Sequence, residues 1–204
     1  MIRLITVTFR RLLFGLLLIY LFFSPLKAQS NVFISEMMVN IYDRVVELYN
    51  PSDTAIDLDG YFFLRNGSYK FTIENFTLEP GETWIGSRYQ EGKNNEIILQ
   101  LADTLRSASE KINGQPGNFW YMIGKLEFYA PDSTLLDRVD GNKPEVGGQA
   151  VDFSSIKWHI IRKSSVDKGN PDWDEARGYN EATGTTSEDS AEWMPDAIYY
   201  DNLG

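Results

Sequence analysis

The densest set of oxygen donors in this chain is Asp167, Asn170, Asp172 and Asp174, spaced through the run D-K-G-N-P-D-W-D. Ca²⁺ takes about six to eight oxygen ligands, and an acidic loop containing glycine can wrap one. These four are therefore candidate calcium ligands. Their spacing departs from the EF-hand pattern and Pro171 restrains loop closure, so a solvated turn is the competing reading. His159 is the single histidine. It lies between Trp158 and Ile160 and would have to serve alone as a nitrogen ligand for zinc or as the base of a triad. A packed strand histidine is the simpler reading. Glu36, Glu47, Asp57, Asp59, Asp137 and Asp140 are numerous enough to pair by chance, whereas glycosidase chemistry needs two carboxyls converging in a cleft. Trp84, Trp120, Tyr121 and Trp193 could stack on sugar rings if they share an exposed face; burial in the core competes for them. No catalytic residue is assigned, and calcium is the only cofactor the residues accommodate.

Elements that could hold such groups begin after an export-like leader. Arg3, Arg10 and Arg11 precede an apolar run of 12 residues from Leu12 to Phe23, followed by Ser24-Pro25 and the small-residue approach to Ala28. This is the layout of a signal peptide over residues 1–28, with cleavage expected near Ala28 or Gln29. As a helix the run is about 18 Å long, short of a hydrocarbon core of about 30 Å. The mature chain is expected to be secreted, periplasmic or on the cell surface, with no membrane span after cleavage.

The full chain carries a net charge of −10. Losing the leader removes four basic residues (Arg3, Arg10, Arg11 and Lys27) and no acidic one, which leaves −14. Nucleic-acid binding rests on Lys and Arg neutralising phosphates, so that class is disfavoured. Cysteine is absent, which excludes disulfides, thiolate metal sites and thiol nucleophiles. The apolar core must hold the fold alone, and a single domain of this length buries about 70% of its unfolded surface.

Short strands with period-two burial follow one another. Val32 to Val39 and Arg44 to Tyr49 flank the Asn40–Asp43 connection. Ile56 and Leu58 share a face. Tyr61 to Leu64, Tyr69 to Ile73, Phe76 to Leu78 and Thr83 to Ser87 continue the pattern, and Ile97, Leu99 and Leu101 predict a further half-buried strand. Asp103 to Lys111 predicts a short helix with Asp103 as its N-cap. Phe119 to Ile123, Lys125 to Tyr129 and Leu135 to Val139 resume the strands, and Ile156 to Arg162 is the expected closing one. Residues 30–163 are thus expected to form an all-β, antiparallel sandwich, with a barrel as the alternative that periodicity alone does not separate from it. Residues 164–204 read as an acidic, loop-rich segment docking through Trp173 and Trp193.

Several of these stretches together resemble the lamin tail domain. They are Ile34-Ser35-Glu36, the E-L-Y-N of Glu47 to Asn50, Pro51-Ser52-Asp53, Ile56-Asp57-Leu58, Gly60-Tyr61, Tyr69-Lys70-Phe71, the Leu78-Glu79-Pro80-Gly81-Glu82 turn and the Leu126 to Val139 hairpin. The resemblance is nearer the exported bacterial branch than the nuclear one and spans roughly residues 31–162. It implies an immunoglobulin-like β-sandwich and brings no catalytic residues. Glu36, Glu47, Asn50, Gly60 and Gly81 match its motif in structural roles, with Asn50 bonding turn backbone and Glu47 pairing across strands. The function implied is an exported, non-catalytic module for protein interaction, scaffolding or adhesion at a bacterial envelope. A carbohydrate-binding module and a metal-dependent hydrolase or nuclease accessory domain are the alternatives.

Overall fold

The computed structural model describes residues 31–107 and 124–196. The signal segment and the strand expected at Phe119 to Ile123 lie outside them. Two sheets face each other. The larger contains β1 (Phe33–Val39), β2 (Arg44–Tyr49), β7 (Thr83–Tyr89), β8 (Thr104–Ser107), β13 (Trp158–Arg162) and β16 (Trp193–Pro195), in the order β16-β13-β1-β2-β7-β8. The smaller runs β10-β9-β4-β5, from β4 (Phe62–Arg65), β5 (Tyr69–Thr72), β9 (Lys125–Tyr129) and β10 (Leu135–Asp140). Among the described residues three two-stranded ribbons stand beside them: β3 (Ile56–Asp57) with β6 (Thr77–Leu78), β11 (Glu145–Val146) with β12 (Gln149–Ala150), and β14 (Tyr179–Asn180) with β15 (Thr185–Thr186). This is the β-sandwich for which the alternation argued, in the immunoglobulin-like form that the resemblance implied, and not a barrel. Pairing is antiparallel except between β7 and β8, which run parallel.

Inward residues from both sheets form one core. Ile34, Met37, Val46, Leu48, Trp84, Trp158 and Ile160 from the larger sheet meet Phe63, Phe71, Leu126, Phe128 and Val139 from the smaller. Phe63 and Phe128 lie 4.8 Å apart between ring centroids, within the range in which aromatic pairs gain beyond their buried area. Alternation alone would place Ile34 and Met37 on opposite faces, since they are three residues apart. A register shift between Ile34 and Glu36 in the β1–β2 ladder resolves this and brings both inward.

Three sequence expectations change. Ile97, Leu99 and Leu101 lie not in a strand but in helix α1 (Glu96–Leu101). Asn95 caps it by accepting from the Ile97 amide, and the Asp43 carboxylate accepts from both the Asn94 side chain and the Asn95 amide, pinning the helix start to the β1–β2 turn. The run E-I-I-L-Q-L keeps Glu96 and Gln100 on one helix face and spreads its apolar residues over the rest, so the alternation of Ile97, Leu99 and Leu101 did not discriminate. Only Ile98 seats in a second cluster, against Met38, Val45 and Ile85 on the outer face of the larger sheet. Asp103 is no N-cap. Its carboxylate accepts the Ile85 amide at 2.8 Å and launches β8 instead of a helix, while residues 108–111 of that expected helix fall outside the described residues. Finally, the strand ending at Arg162 does not close the sheet, because β16 pairs along its far side.

Residues from 164 onward therefore contribute regular structure. Besides β14, β15 and β16 they form helix α2 (Trp173–Ala176), and Trp173 and Trp193 dock into the main core. No helix among the described residues is long and apolar enough to cross a membrane.

Candidate functional site

The largest concentration of buried charge joins the C-terminal segment to the sandwich. Asp137 on β10 is fully buried. One guanidinium nitrogen of Arg162 on β13 donates to both its oxygens, at 2.7 and 2.9 Å. The amides of Ile34, Arg138 and Asn170 donate to the same carboxylate. The other terminal nitrogen of Arg162 donates to Glu192 Oε2 at 2.6 Å, and Asn170 Nδ2 donates to Glu192 Oε1. Arg162 also lies 4.3 Å from the centroid of the Trp193 ring. Burial pushes the Asp137 carboxyl above the ordinary aspartate range; Arg162 and the three amides act against that push. The cluster borders a cleft of about 330 Å³ lined by Asn31, Lys168, Asn170, Pro171, Glu175 and Glu192 among others. Both oxygens of Asp137 and of Glu192 are engaged, so the arrangement works as a latch between β10, β13 and the C-terminal segment.

The four candidate calcium ligands face separate partners. Asp167 is exposed. Asn170 accepts from the Asp172 amide and donates to Glu192. Asp172 is the N-cap of α2 and accepts from the Asp174 and Glu175 amides. Asp174 pairs with Lys143 and Arg177. Among the described residues no group of three or more His, Cys, Asp or Glu side chains is placed to hold a metal. Asp172→Ala is expected to cost about 1 kcal/mol through loss of the cap, read as a lowered Tm. An unshifted Tm would remove the capping role.

His159 and Glu36 are both buried and lie 2.7 Å apart, Nε2 to Oε1, across the β1–β13 ladder. Glu47, the register partner of Glu36, accepts from Ser35 Oγ at 2.7 Å, which is the cross-strand role its position implied. Asn50 is fully buried. Its amide nitrogen donates to the carbonyls of Thr54, Leu78 and Glu79, and its oxygen accepts from the Ser52 amide and hydroxyl. One side chain so ties the Pro51–Thr54 turn to the turn before β7. Gly60 and Gly81 have φ of +83° and +74°, the left-handed region where a side chain is strained. A Cβ on Gly60 would also sit 3.4 Å from Pro131 Cβ.

The aromatic expectation is corrected. Trp84 and Trp193 are both fully buried, as core residues that fill the space between the sheets and under the C-terminal segment. They present no ring to a sugar. Trp120 and Tyr121 lie outside the described residues.

Sequence reasoning missed the outer face of the smaller sheet. Pairing aligns Lys70, Leu64, Glu127 and Arg138 in one row across β5, β4, β9 and β10, and Thr72, Phe62 and Tyr129 in a neighbouring row. Phe62 and Tyr129 stack at 4.9 Å and 9°, and Lys70 Nζ lies 3.7 Å from the Phe62 centroid. Glu127 pairs with Lys125 at 3.0 Å and with Arg138 at 2.9 Å. Burial pushes the Tyr129 phenol up, and the Glu127 carboxylate that it hydrogen-bonds adds to the push. The one signal in the sequence was the outward phase of Lys70 between Tyr69 and Phe71; which strands adjoin it is a matter of register.

No curated protein matches the chain. A family model, Lamin Tail Domain, matches residues 25–142. The match ends before β13 and β16, which extend the larger sheet past β1 from outside the matched region. More than half of the chain is covered, and the protein belongs to the lamin tail domain family.

Proposed function

We propose that this protein is an exported, non-catalytic interaction module that works at the cell envelope or outside the cell. The observation that carries the reading is how its buried acid–base groups are spent. Asp137 holds Arg162 and three amides, Glu36 holds His159, and Glu47 holds Ser35. Groups committed to holding strands together are poorly suited to exchanging protons with a substrate, whereas a rigid sandwich presenting surfaces suits binding. The export-like leader and the acidic surface support an extracytoplasmic location.

Expression of the full chain with a C-terminal tag, followed by cell fractionation and N-terminal sequencing, tests the location. The expected product begins near residue 29 and leaves the cytoplasm. Retention in the cytoplasm with residues 1–28 intact would overturn it. Cross-linking in intact cells, followed by a pull-down from envelope extract, tests the interaction. Hydrolytic turnover abolished by a chelator would instead establish an enzyme.

A further inference from the structure

We infer that one end of the sandwich interior is a binding site for a small, doubly charged oxyanion of the phosphate or sulfate kind. β7 and β8 run parallel and pair Arg88 with Arg106. The β2–β7 register pairs Val45 with Ser87, which sets Arg44 beside Arg88 at the next position. Arg44 in turn pairs with Val39, and Val39 with Trp158. Three arginines therefore stand side by side on β2, β7 and β8, in one row that continues across the sheet to Trp158. Arg44 shares the inward phase of Val46 and Leu48, and Arg88 that of Trp84, so the row faces the smaller sheet. A fourth arginine, Arg65, comes from that sheet, two residues beyond the core residue Phe63, whose ring lies 6.1 Å from that of Trp84. It belongs to the same end. Arg65 pairs with Leu126 at the start of β9, and Gly124 just before that strand accepts from the Gly141 amide. Gly141 lies against Phe153, whose ring is 4.8 Å from that of Trp158.

Such a row calls for a counter-charge. Like charges directly opposite on neighbouring strands destabilise a sheet, and here three sit within two strand spacings, about 10 Å. Arg44, Arg65 and Arg88 are 4%, 7% and 7% exposed, so water screens them poorly. The acceptors that Arg88 reaches are neutral: the carbonyls of Ile41 and Tyr42 and the side-chain oxygen of Gln90. Burial pushes the Arg65 guanidinium below its ordinary range, opposed by Tyr69, over whose ring it lies at 4.5 Å. Trp158 is buried as well, and its indole N–H meets no acceptor among the described residues. The inward strand positions around the row are Val39, Thr104, Tyr69 and Leu126, none of them acidic. Asp43, Asp103 and Asp140 take the opposite phase, where they accept from Asn94 and the Asn95 amide, from the Ile85 amide, and from Asn142. One carboxylate would offset a single charge of the four. A tetrahedral dianion presents several oxygens at once to forked guanidinium donors from both sheets. Burial of three of the arginines limits the ligand to a small ion, and half-buried Arg106 on the edge strand β8 marks its way in.

The test is calorimetric titration of the protein, dialysed into chloride buffer, with phosphate, sulfate and acetate at constant ionic strength. Ion chromatography of a denatured sample reports any anion carried through purification. One phosphate or sulfate per chain is expected, bound in the titration or released on denaturation, with acetate about tenfold weaker or more. Arg106→Gln should weaken binding by about tenfold or more, because it removes a charge-assisted donor. Lys168→Gln changes the net charge equally from the cleft beside Asn170 and should leave binding within about twofold. If Arg106→Gln fails to fold, Arg106→Lys keeps the charge but loses the fork and should still cost about threefold. Binding of neither dianion overturns the site, and would mean that a carboxylate of this chain from outside the described residues already offsets the row. Acetate binding as tight as phosphate overturns the dianion, and equal weakening in the Arg106 and Lys168 variants overturns the row as a diffuse charge effect. The interaction module stands or falls by its own experiments, whichever way this one turns out.

Discussion

Arg162→Met is expected to destabilise the protein by about 3–5 kcal/mol, because it leaves the Asp137 carboxylate buried without its cation. Total stability of a domain this size is about 5–15 kcal/mol, so the variant should sit near unfolding at 37 °C. The pH dependence separates this account from a simple loss of packing. In the native protein burial pushes the Asp137 carboxyl up, and Arg162 is the largest influence opposing it. Without Arg162 the folded-state value rises further above the unfolded one. A raised folded value means that the protonated form is the one folding favours. Its contribution is complete below the unfolded aspartate range, about pH 4, and is lost as pH rises through the folded value. Denaturant titrations from pH 4 to 8 should therefore show the deficit relative to the native protein widening with pH. A constant gap would mean that the side chain mattered only for its packing on Trp193. Adding Asp137→Asn to Arg162→Met removes the buried charge but keeps an acceptor for the amides, and it should recover part of the loss.

Asn50→Ala should cost about 3 kcal/mol or more. The substitution strips the donor from the carbonyls of Thr54, Leu78 and Glu79 and the acceptor from Ser52. Each buried group left unpaired costs about 1–3 kcal/mol, reduced here for the Thr54 and Glu79 bonds, which are only part-buried. Asn50→Asp is nearly isosteric, yet it should be worse than alanine at neutral pH. Its carboxylate would set an anionic oxygen against three carbonyl oxygens. Thermal unfolding of the two variants decides the matter: equal or smaller loss in the aspartate variant would show that the amide is not the donor that fastens these turns.

These two sites differ in how far the sequence foretold them. Asn50 before Pro51, followed by Ser52-Asp53, reads as turn chemistry that needs a local side-chain bond, and the structure makes that bond. The reach to Leu78 and Glu79 was invisible, since it depends on the second turn folding back beside the first. Asp137 read as one acidic residue in an alternating strand. Its value comes from Arg162, 25 residues on, and from the Ile34 amide, 103 residues back. The aromatics failed in a similar way. A tryptophan signals burial or display equally well, and only the sheet phase put Trp84 inward.

The alternation of apolar residues determined by itself that most of these segments would be strands layered around a core, because a pleated chain with one oily face must bury it; whether the layers made a sandwich or a barrel it left open. It failed at Glu96–Leu101, where apolar residues at 97, 98, 99 and 101 fit a strand or a helix and a cap at Asn95 with the Asp43 anchor chose the helix. Tertiary structure alone decided strand order, the parallel β7–β8 pair, the addition of β16 outside β13, and which cations share a face. Those are choices among distant partners, settled by the closure of loops and the pairing of charges that lie far apart along the chain.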